Sequence, residues 1–307
     1  MSKTVLLLLG GLSAEREVSL ASGAPVKQAL EAGGYRVIPF DPSWDVGEKL
    51  PTALAGVDVV FNALHGKWGE DGNIQGILNF SKVPYTHSGV LASSLAMDKQ
   101  LSKHIFAAAG IPVVHDVTVT LGQLRRSDPL PRPFVIKPAQ EGSSVGVKIV
   151  FPGDNLDLSD LDKYGALMAE EFVPGRELTV SVLQAKGEEP RALAITELKP
   201  KTAFYDYEAK YSADAQTEHV VNPTDLPTDV AHQLLRWSEA AHAALGCRGA
   251  SRADYRYDHD SGRIAILEVN TQPGLTPLSL LPEQALATGM DFKALVAWMV
   301  ENAECDA

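Results

Sequence analysis

The sequence predicts a mixed α/β protein of two or three packed units, opening with a parallel α/β unit. Three observations carry this expectation. Short apolar runs alternate with stretches of helical spacing in the first part of the chain, as strands joined by crossover helices would require. The length of 307 residues exceeds the roughly 100–200 of a usual single domain. A composition of 45% hydrophobic and 21% charged residues supplies enough apolar side chains for a sizeable core.

The elements follow in order. Val5–Leu9 is a continuous apolar run closed by Gly10-Gly11, and Glu15, Val18, Leu20 and Ala21 come after it at mixed helical spacing, which reads as strand, turn and helix. Strands are expected at Tyr35–Phe40, Val57–Leu64 and near Val83–Tyr85, with a helix over Ile74–Phe80; together they form a first domain, residues 1–94. An alanine-rich amphipathic helix over Met97–Ala109 leads through Gly110-Ile-Pro to Phe134–Lys137 and Val145–Val150, which read as a hairpin around a glycine- and serine-containing turn. Leu167–Val173 and Glu177–Leu183 are separated by Pro174-Gly175, where a second domain, residues 95–175, gives way to a third, residues 176–307. Lys199–Pro223 is polar and aromatic and fits neither helix nor strand; loops of that length in a compact domain are usually functional, so residues 199–223 are expected to form a lid. Thr228–Leu245 has the threonine start and the Gly246 stop of a helix, Ala253–Tyr257 and Ile264–Val269 read as a strand pair, and Phe292–Glu301 as a last helix.

Charge excludes some functions. A net charge of -12 and a pI near 5.1 argue against a nucleic-acid partner, which would need a basic excess. Cys247 and Cys305 are too few for a disulfide framework and have no metal-ligand spacing. No apolar run approaches the roughly 18–20 residues of a membrane helix, and Val5–Leu9 is too short for a secretory core, so a cytoplasmic protein without membrane partners is expected.

Chemistry concentrates at a few places. In Glu268-Val-Asn270, period-two alternation puts two oxygen-bearing side chains on one strand face, with Asp254 on the preceding strand; three hard oxygen donors suit Mg²⁺. Taken alone, the same residues equally fit a solvated sheet face. Glu141-Gly-Ser-Ser-Val-Gly146, bracketed by Lys137 and Lys148, offers N–H donors and ammonium charge to a phosphate, or is simply a hairpin turn. Glu15 follows Gly10-Gly11 and also fits a first-turn glutamate favoured by the helix dipole. His65-Gly66 and Gly69-Glu-Asp-Gly72 follow the third strand, where open α/β sheets bind ligands, although a histidine there can also be structural.

These pieces occur in an order that resembles the D-alanine:D-alanine ligases: Gly10-Gly-Leu-Ser-Ala-Glu-Arg-Glu-Val-Ser19, His65-Gly-Lys-Trp-Gly-Glu-Asp-Gly72, Met97-Asp-Lys99 and Lys137-Pro-Ala-Gln-Glu-Gly-Ser-Ser-Val-Gly146. Tyr205-Asp-Tyr-Glu-Ala-Lys-Tyr211 is similar to the lid of that family, and Arg252-Ala-Asp254, Glu268-Val-Asn-Thr-Gln-Pro-Gly274 and Ser279-Leu280 to its C-terminal site. The resemblance spans nearly the whole chain. Departures are Lys67-Trp68, Ala139-Gln140 and Gln272.

The resemblance implies a three-domain ATP-grasp fold and an ATP-dependent ligase that joins two D-alanines for peptidoglycan and cell-wall synthesis. Under it, Glu15 would hold the first D-alanine through a link to Ser143 and Tyr211, and His65 would sit near that substrate's carboxylate. Lys99, Lys137 and Lys210 would contact ATP phosphates, Glu177 the ribose, and Glu170, Phe172 and Val173 the adenine region. Asp254, Glu268 and Asn270 would hold two Mg²⁺ ions, with Mn²⁺ as a substitute. Arg252 and the Gly274 amide would stabilise a tetrahedral oxyanion, Ser279 and Leu280 would receive the second D-alanine, and the assembly would be a homodimer. The rival readings are a D-alanine:D-lactate ligase, whose relatives have a lid lacking the tyrosine, a more distant ATP-grasp ligase, and a nucleotide-binding module without turnover.

Overall fold

A computed structural model describes residues 2–140, 142, 146–199 and 217–306; the expected site residues Ser143, Lys210 and Tyr211 lie outside them. Strand β1 (Thr4–Leu8) is flanked in parallel by β2 (Arg36–Phe40) and β3 (Val59–Asn62), in the order β2-β1-β3. Val5, Leu6, Leu7 and Leu8 are all fully buried because both faces of this sheet are covered, which is why the strand is a continuous apolar run. Helices α1 (Arg16–Ala32), α2 (Val46–Ala53) and α3 (Asn73–Ser81) complete the unit. Gly10 and Gly11, both at positive φ, turn the chain from β1 towards α1.

The strand expected near Val83–Tyr85 is reduced to single bridges, Tyr85 with Val60 and with Glu304. Pro84 has no N–H to extend a ladder. The helix expected over Met97–Ala109 is also corrected: α4 (Val90–Met97) and α5 (Lys99–Ala108) are separated by Asp98, which is extended and whose carboxylate accepts from the amides of Gln100 and Leu101. An aspartate N-cap inside the periodic run starts a new helix there. Residues 94 and 95 therefore fall within α4.

After β4 (Asp116–Val119) and the short α6 (Leu121–Leu124), the β5 (Phe134–Pro138) and β6 (Lys148–Val150) hairpin and β7 (Leu167–Glu171) form a four-stranded antiparallel sheet, in the order β4-β7-β5-β6. Gly175, at φ 88, then carries the chain into a second antiparallel sheet; a Cβ there would stand 2.3 Å from the Tyr257 carbonyl oxygen. This sheet has the order β10-β9-β8-β11-β12 and comprises β8 (Arg176–Gln184), β9 (Arg191–Lys199), β10 (Glu218–Val221), β11 (Gly249–Tyr257) and β12 (Ile264–Asn270). Within the expected lid, Glu218–Val221 is thus an edge strand on β9, and residues 200–216 lie outside the described residues.

Helix α7 (Thr228–Ala244) covers one face of this sheet, and α4 and α5 pack on β12. Ala92, Phe106 and Ile111 share a core with Leu178, Leu234, Tyr255 and Ile266. Helices α8 (Leu280–Ala287) and α9 (Phe292–Glu301) follow β12. Leu295, Val296 and Met299 of α9 return to pack with Val5, Leu7, Val26 and Leu30, so the last helix closes the core of the first sheet.

Candidate active site

The site begins with strand register. Asp254 on β11 lies opposite Glu268 on β12, and Arg252 opposite Asn270, so alternation brings four polar side chains to one sheet face. Ala253, Tyr255 and Val269 point the other way into the core. Arg252 grips Asp254 with two parallel bonds, Nε to Oδ1 and Nη2 to Oδ2, each 2.8 Å. Glu268 pairs with Lys99, Nζ to Oε2 at 3.1 Å. Asn270 Oδ1 accepts the Gln272 amide at 2.8 Å. Asp254, Glu268 and Asn270 therefore present hard oxygen donors on one face, a donor set that fits Mg²⁺.

Lys99 reaches this face because Asp98 starts α5 immediately before it, and its amide donates to the Ala139 carbonyl at 3.2 Å. One helical turn on, Lys103 is buried on the same helix face. Lys103 contacts one oxygen of Glu170 and Lys137 the other at 2.6 Å, while Asp116 stands 3.5 Å from Lys103. Burial pushes the Glu170 carboxyl upwards, but the two ammonium groups outweigh it and hold Glu170 below its ordinary value. Burial, reinforced by Lys103 and Lys99 against the pull of Glu170, lowers the Lys137 ammonium.

Beyond β7, the Phe172 ring meets Phe151 edge-on with centroids 5.6 Å apart, and Arg256 lies over it at 5.9 Å. Arg256 also donates to the Val173 and Gly175 carbonyls at 3.1 and 2.8 Å and stands 3.4 Å from Glu177. Val173 packs with Val114 and Ala265.

From the first unit, His65 is buried between Ser22, whose Oγ is 3.0 Å from Nε2, and Glu70, whose Oε1 is 2.9 Å from Nδ1. Glu15 is buried where two backbones come close: a Cβ on Gly66 would stand 2.9 Å from its Oε1, and one on Gly142 2.8 Å. After β12 the chain turns at Gly274, where a Cβ would stand 2.8 Å from Ser279 Oγ. That hydroxyl accepts the Thr276 amide at 2.9 Å, and Ser279 stands at the start of α8, without a side-chain capping bond, immediately before the buried Leu280.

One open cleft brings together Glu15, His65, Lys99, Glu177, Arg252, Asp254, Glu268, Asn270, Gly274, Ser279 and Leu280. Lys137, Glu170, Phe172 and Val173 are not on its wall; they form the neighbouring cluster on β5, β7 and the turn beyond β7. Sequence reasoning placed Glu70 in a ligand-binding loop without a role of its own and passed over Lys103 and Arg256. The signals were present: Arg256 continues the period-two series of Arg252 and Asp254, and Lys103 is four residues after Lys99.

Comparison with known proteins gives a consistent picture. The family model described as D-ala D-ala ligase C-terminus matches residues 105–301, and D-ala D-ala ligase N-terminus matches residues 43–88. The D-alanine–D-alanine ligase of Acidiphilium cryptum (strain JF-5) is 55% identical, covering 99% of both chains. That of Granulibacter bethesdensis (strain ATCC BAA-1260 / CGDNIH1) is 51% identical over 99% of both. Among solved structures, D-alanine–D-alanine ligase from Bacillus anthracis superposes with a TM-score of 0.80 at 31% identity, covering 98% of this chain and 97% of that one. The same enzyme complexed with ATP gives 0.79 at 30% identity over the same shares.

Proposed function

The chain belongs to the D-alanine–D-alanine ligase family, and from that premise we propose that it joins two D-alanines into D-alanyl-D-alanine, converting ATP to ADP and phosphate. The product is a peptidoglycan precursor. The observation that carries this reading is the single cleft in which Glu15 and His65 of the first unit face Arg252, Asp254, Glu268, Asn270 and Gly274 of the last.

A carboxylate does not condense with an amine at neutral pH because its oxide is a poor leaving group. The γ-phosphoryl of ATP is therefore transferred to the carboxylate of the first D-alanine, giving an acyl phosphate and ADP. Such a transfer asks the protein for alignment and charge neutralisation. Lys99, Lys137 and Lys210 receive the phosphates, Glu177 the ribose hydroxyls, and Phe172 and Val173 the adenine, with Glu170 holding Lys137 beside them. Glu15 orients the ammonium of the first D-alanine with Ser143 and Tyr211, and His65 lies by its carboxylate.

The second D-alanine, seated by Ser279 and Leu280, attacks the acyl carbon as a free amine. The tetrahedral oxyanion then accepts hydrogen bonds from Arg252 and the Gly274 amide, and phosphate departs as the peptide bond forms. Asp254, Glu268 and Asn270 would hold two Mg²⁺ ions, or Mn²⁺ in their place, whose contribution is to offset phosphate charge. Water would hydrolyse the acyl phosphate, which gives the lid at 199–223 its reason to close. The working assembly is a homodimer in the cytoplasm; among the described residues no helix is long and apolar enough to cross a membrane.

A coupled ADP-release assay tests the reading with D-alanine, L-alanine and D-lactate compared, the last in the presence of D-alanine. D-alanine-dependent ADP release with dipeptide as product is expected. Intact ATP binding with no D-alanine-dependent turnover would overturn it, and a depsipeptide formed with D-lactate in preference to dipeptide would redirect it to the D-lactate-using relatives.

A further inference from the structure

Gln272 lies between Asn270 and Gly274, yet its side chain leaves the last unit and enters the first, where it is 1% exposed. Its Oε1 accepts from Asn62 Nδ2 at 2.9 Å, and its Nε2 donates to the Leu64 carbonyl. Asn62, the last residue of β3, is fully buried and also donates to the Gly69 carbonyl at 3.0 Å, while its Oδ1 accepts the Leu64 amide at 3.1 Å. Gln75, on α3, donates to the same Gly69 carbonyl at 2.9 Å. The loop from Leu64 to Gly69, which carries His65, is thus suspended from three buried amides, one of them contributed by the turn after β12. The main chain of Gln272 also donates to Asn270 Oδ1 at 2.8 Å.

We propose that Gln272 is a positioning residue that couples the two halves of the cleft, setting the His65 loop in register with the Asn270–Gly274 turn. The proposal rests on the ligase reading above. A buried amide pair is directional and loses its bonds with small displacements, so the Asn62–Gln272 contact fixes the separation of the two loops more sharply than apolar packing would. Phosphoryl transfer to the first D-alanine and stabilisation of the oxyanion both depend on that separation, because one substrate spans it. A misplacement of about 1 Å costs such a reaction roughly a hundredfold at most.

The test is steady-state kinetics on Gln272→Met, which matches the side chain in length and removes both bonds, together with Gln272→Glu. For Gln272→Met, kcat/KM for D-alanine should fall about tenfold while KM for ATP stays within about twofold, as expected for one severed buried hydrogen-bonded link. Gln272→Glu keeps an acceptor for Asn62 but sets a carboxylate oxygen against the Leu64 carbonyl in place of the donor, so its kcat/KM for D-alanine should fall at least as far. A Gln272→Met enzyme within about twofold of the parent in kcat/KM, whatever its melting temperature, overturns the proposal. If that variant does not fold, a Gln272→Glu enzyme within about twofold of the parent in kcat/KM does so instead. A parent enzyme without D-alanine-dependent ADP release would sink the ligase reading itself, before either variant is compared.

Discussion

Arg252 holds Asp254 through two bonds of its planar fork and lines the cleft. A lysine would keep the charge but cannot make the paired contact. Arg252→Lys is expected to lower kcat about 100- to 1000-fold while leaving KM for ATP nearly unchanged, measured by ADP release at saturating D-alanine. Gly274 is constrained by space: an alanine Cβ 2.8 Å from Ser279 Oγ would force that hydroxyl away from Thr276. Gly274→Ala should therefore raise KM for D-alanine by about tenfold or more, with the folded fraction by circular dichroism unchanged. Part of the polar face of β11 and β12 was legible because alternation sorts Glu268 and Asn270, with Asp254 on the preceding strand, from their buried neighbours, whereas Arg252 entered only through the family resemblance. Glu70 stood in the Gly69-Glu-Asp-Gly72 loop with no role of its own, and the role of Lys103 escaped because its partner Glu170 lies 67 residues away, a pairing that has no period in a sequence.

Elements are fastened to one another by buried polar contacts as well as by apolar cores. Glu170 of β7 is nearly inaccessible and joins Lys103 of α5 to Lys137 of β5. Glu170→Gln would leave two buried ammonium groups without their shared carboxylate, and a loss on the order of 3 kcal/mol is expected in urea unfolding. Helix α7 is pinned to β11 and β8 by His242, whose Nδ1 is 2.7 Å from Ser251 Oγ and whose Nε2 is 3.0 Å from Gln184 Oε1. Burial pushes this imidazole down from 6.5 to about 4. As pH falls from about 6.5 to about 4 the unfolded chain takes up a proton that the native state refuses, so stability declines across that window by about 3 kcal/mol and no further below it. His242→Gln should flatten the slope of unfolding free energy against pH in the same interval. Among the elements, β1, β2, β3 and the β11–β12 pair could be read directly from apolar runs and alternation. The break at Asp98 was hidden inside an unbroken helical pattern, and β9, which carries two alanines and the buried Glu197, has only Ile195 and Thr196 as a β-branched signature of a strand.

At the scale of the whole molecule, the cleft is lined by residues from the early, middle and late parts of the chain, so a ligand spanning them should stabilise all of them together. ATP with Mg²⁺ at about a hundred times its dissociation constant is expected to add about 2.7 kcal/mol, read as a rise of several degrees in melting temperature that shrinks when Mg²⁺ is chelated. An unchanged melting temperature would count against nucleotide binding in this cleft. The passage from one antiparallel sheet to the other was visible as the Pro174-Gly175 turn. The return of α9 to the first sheet was not, because an amphipathic helix does not announce which surface it will cover. That return constrains the order of assembly: Val5, Leu7, Val26 and Leu30 lack one wall until Leu295, Val296 and Met299 arrive. On the ribosome, the portion made first must wait, partly uncovered, for the portion made last, and a nascent chain halted before Phe292 would be a natural client for chaperones.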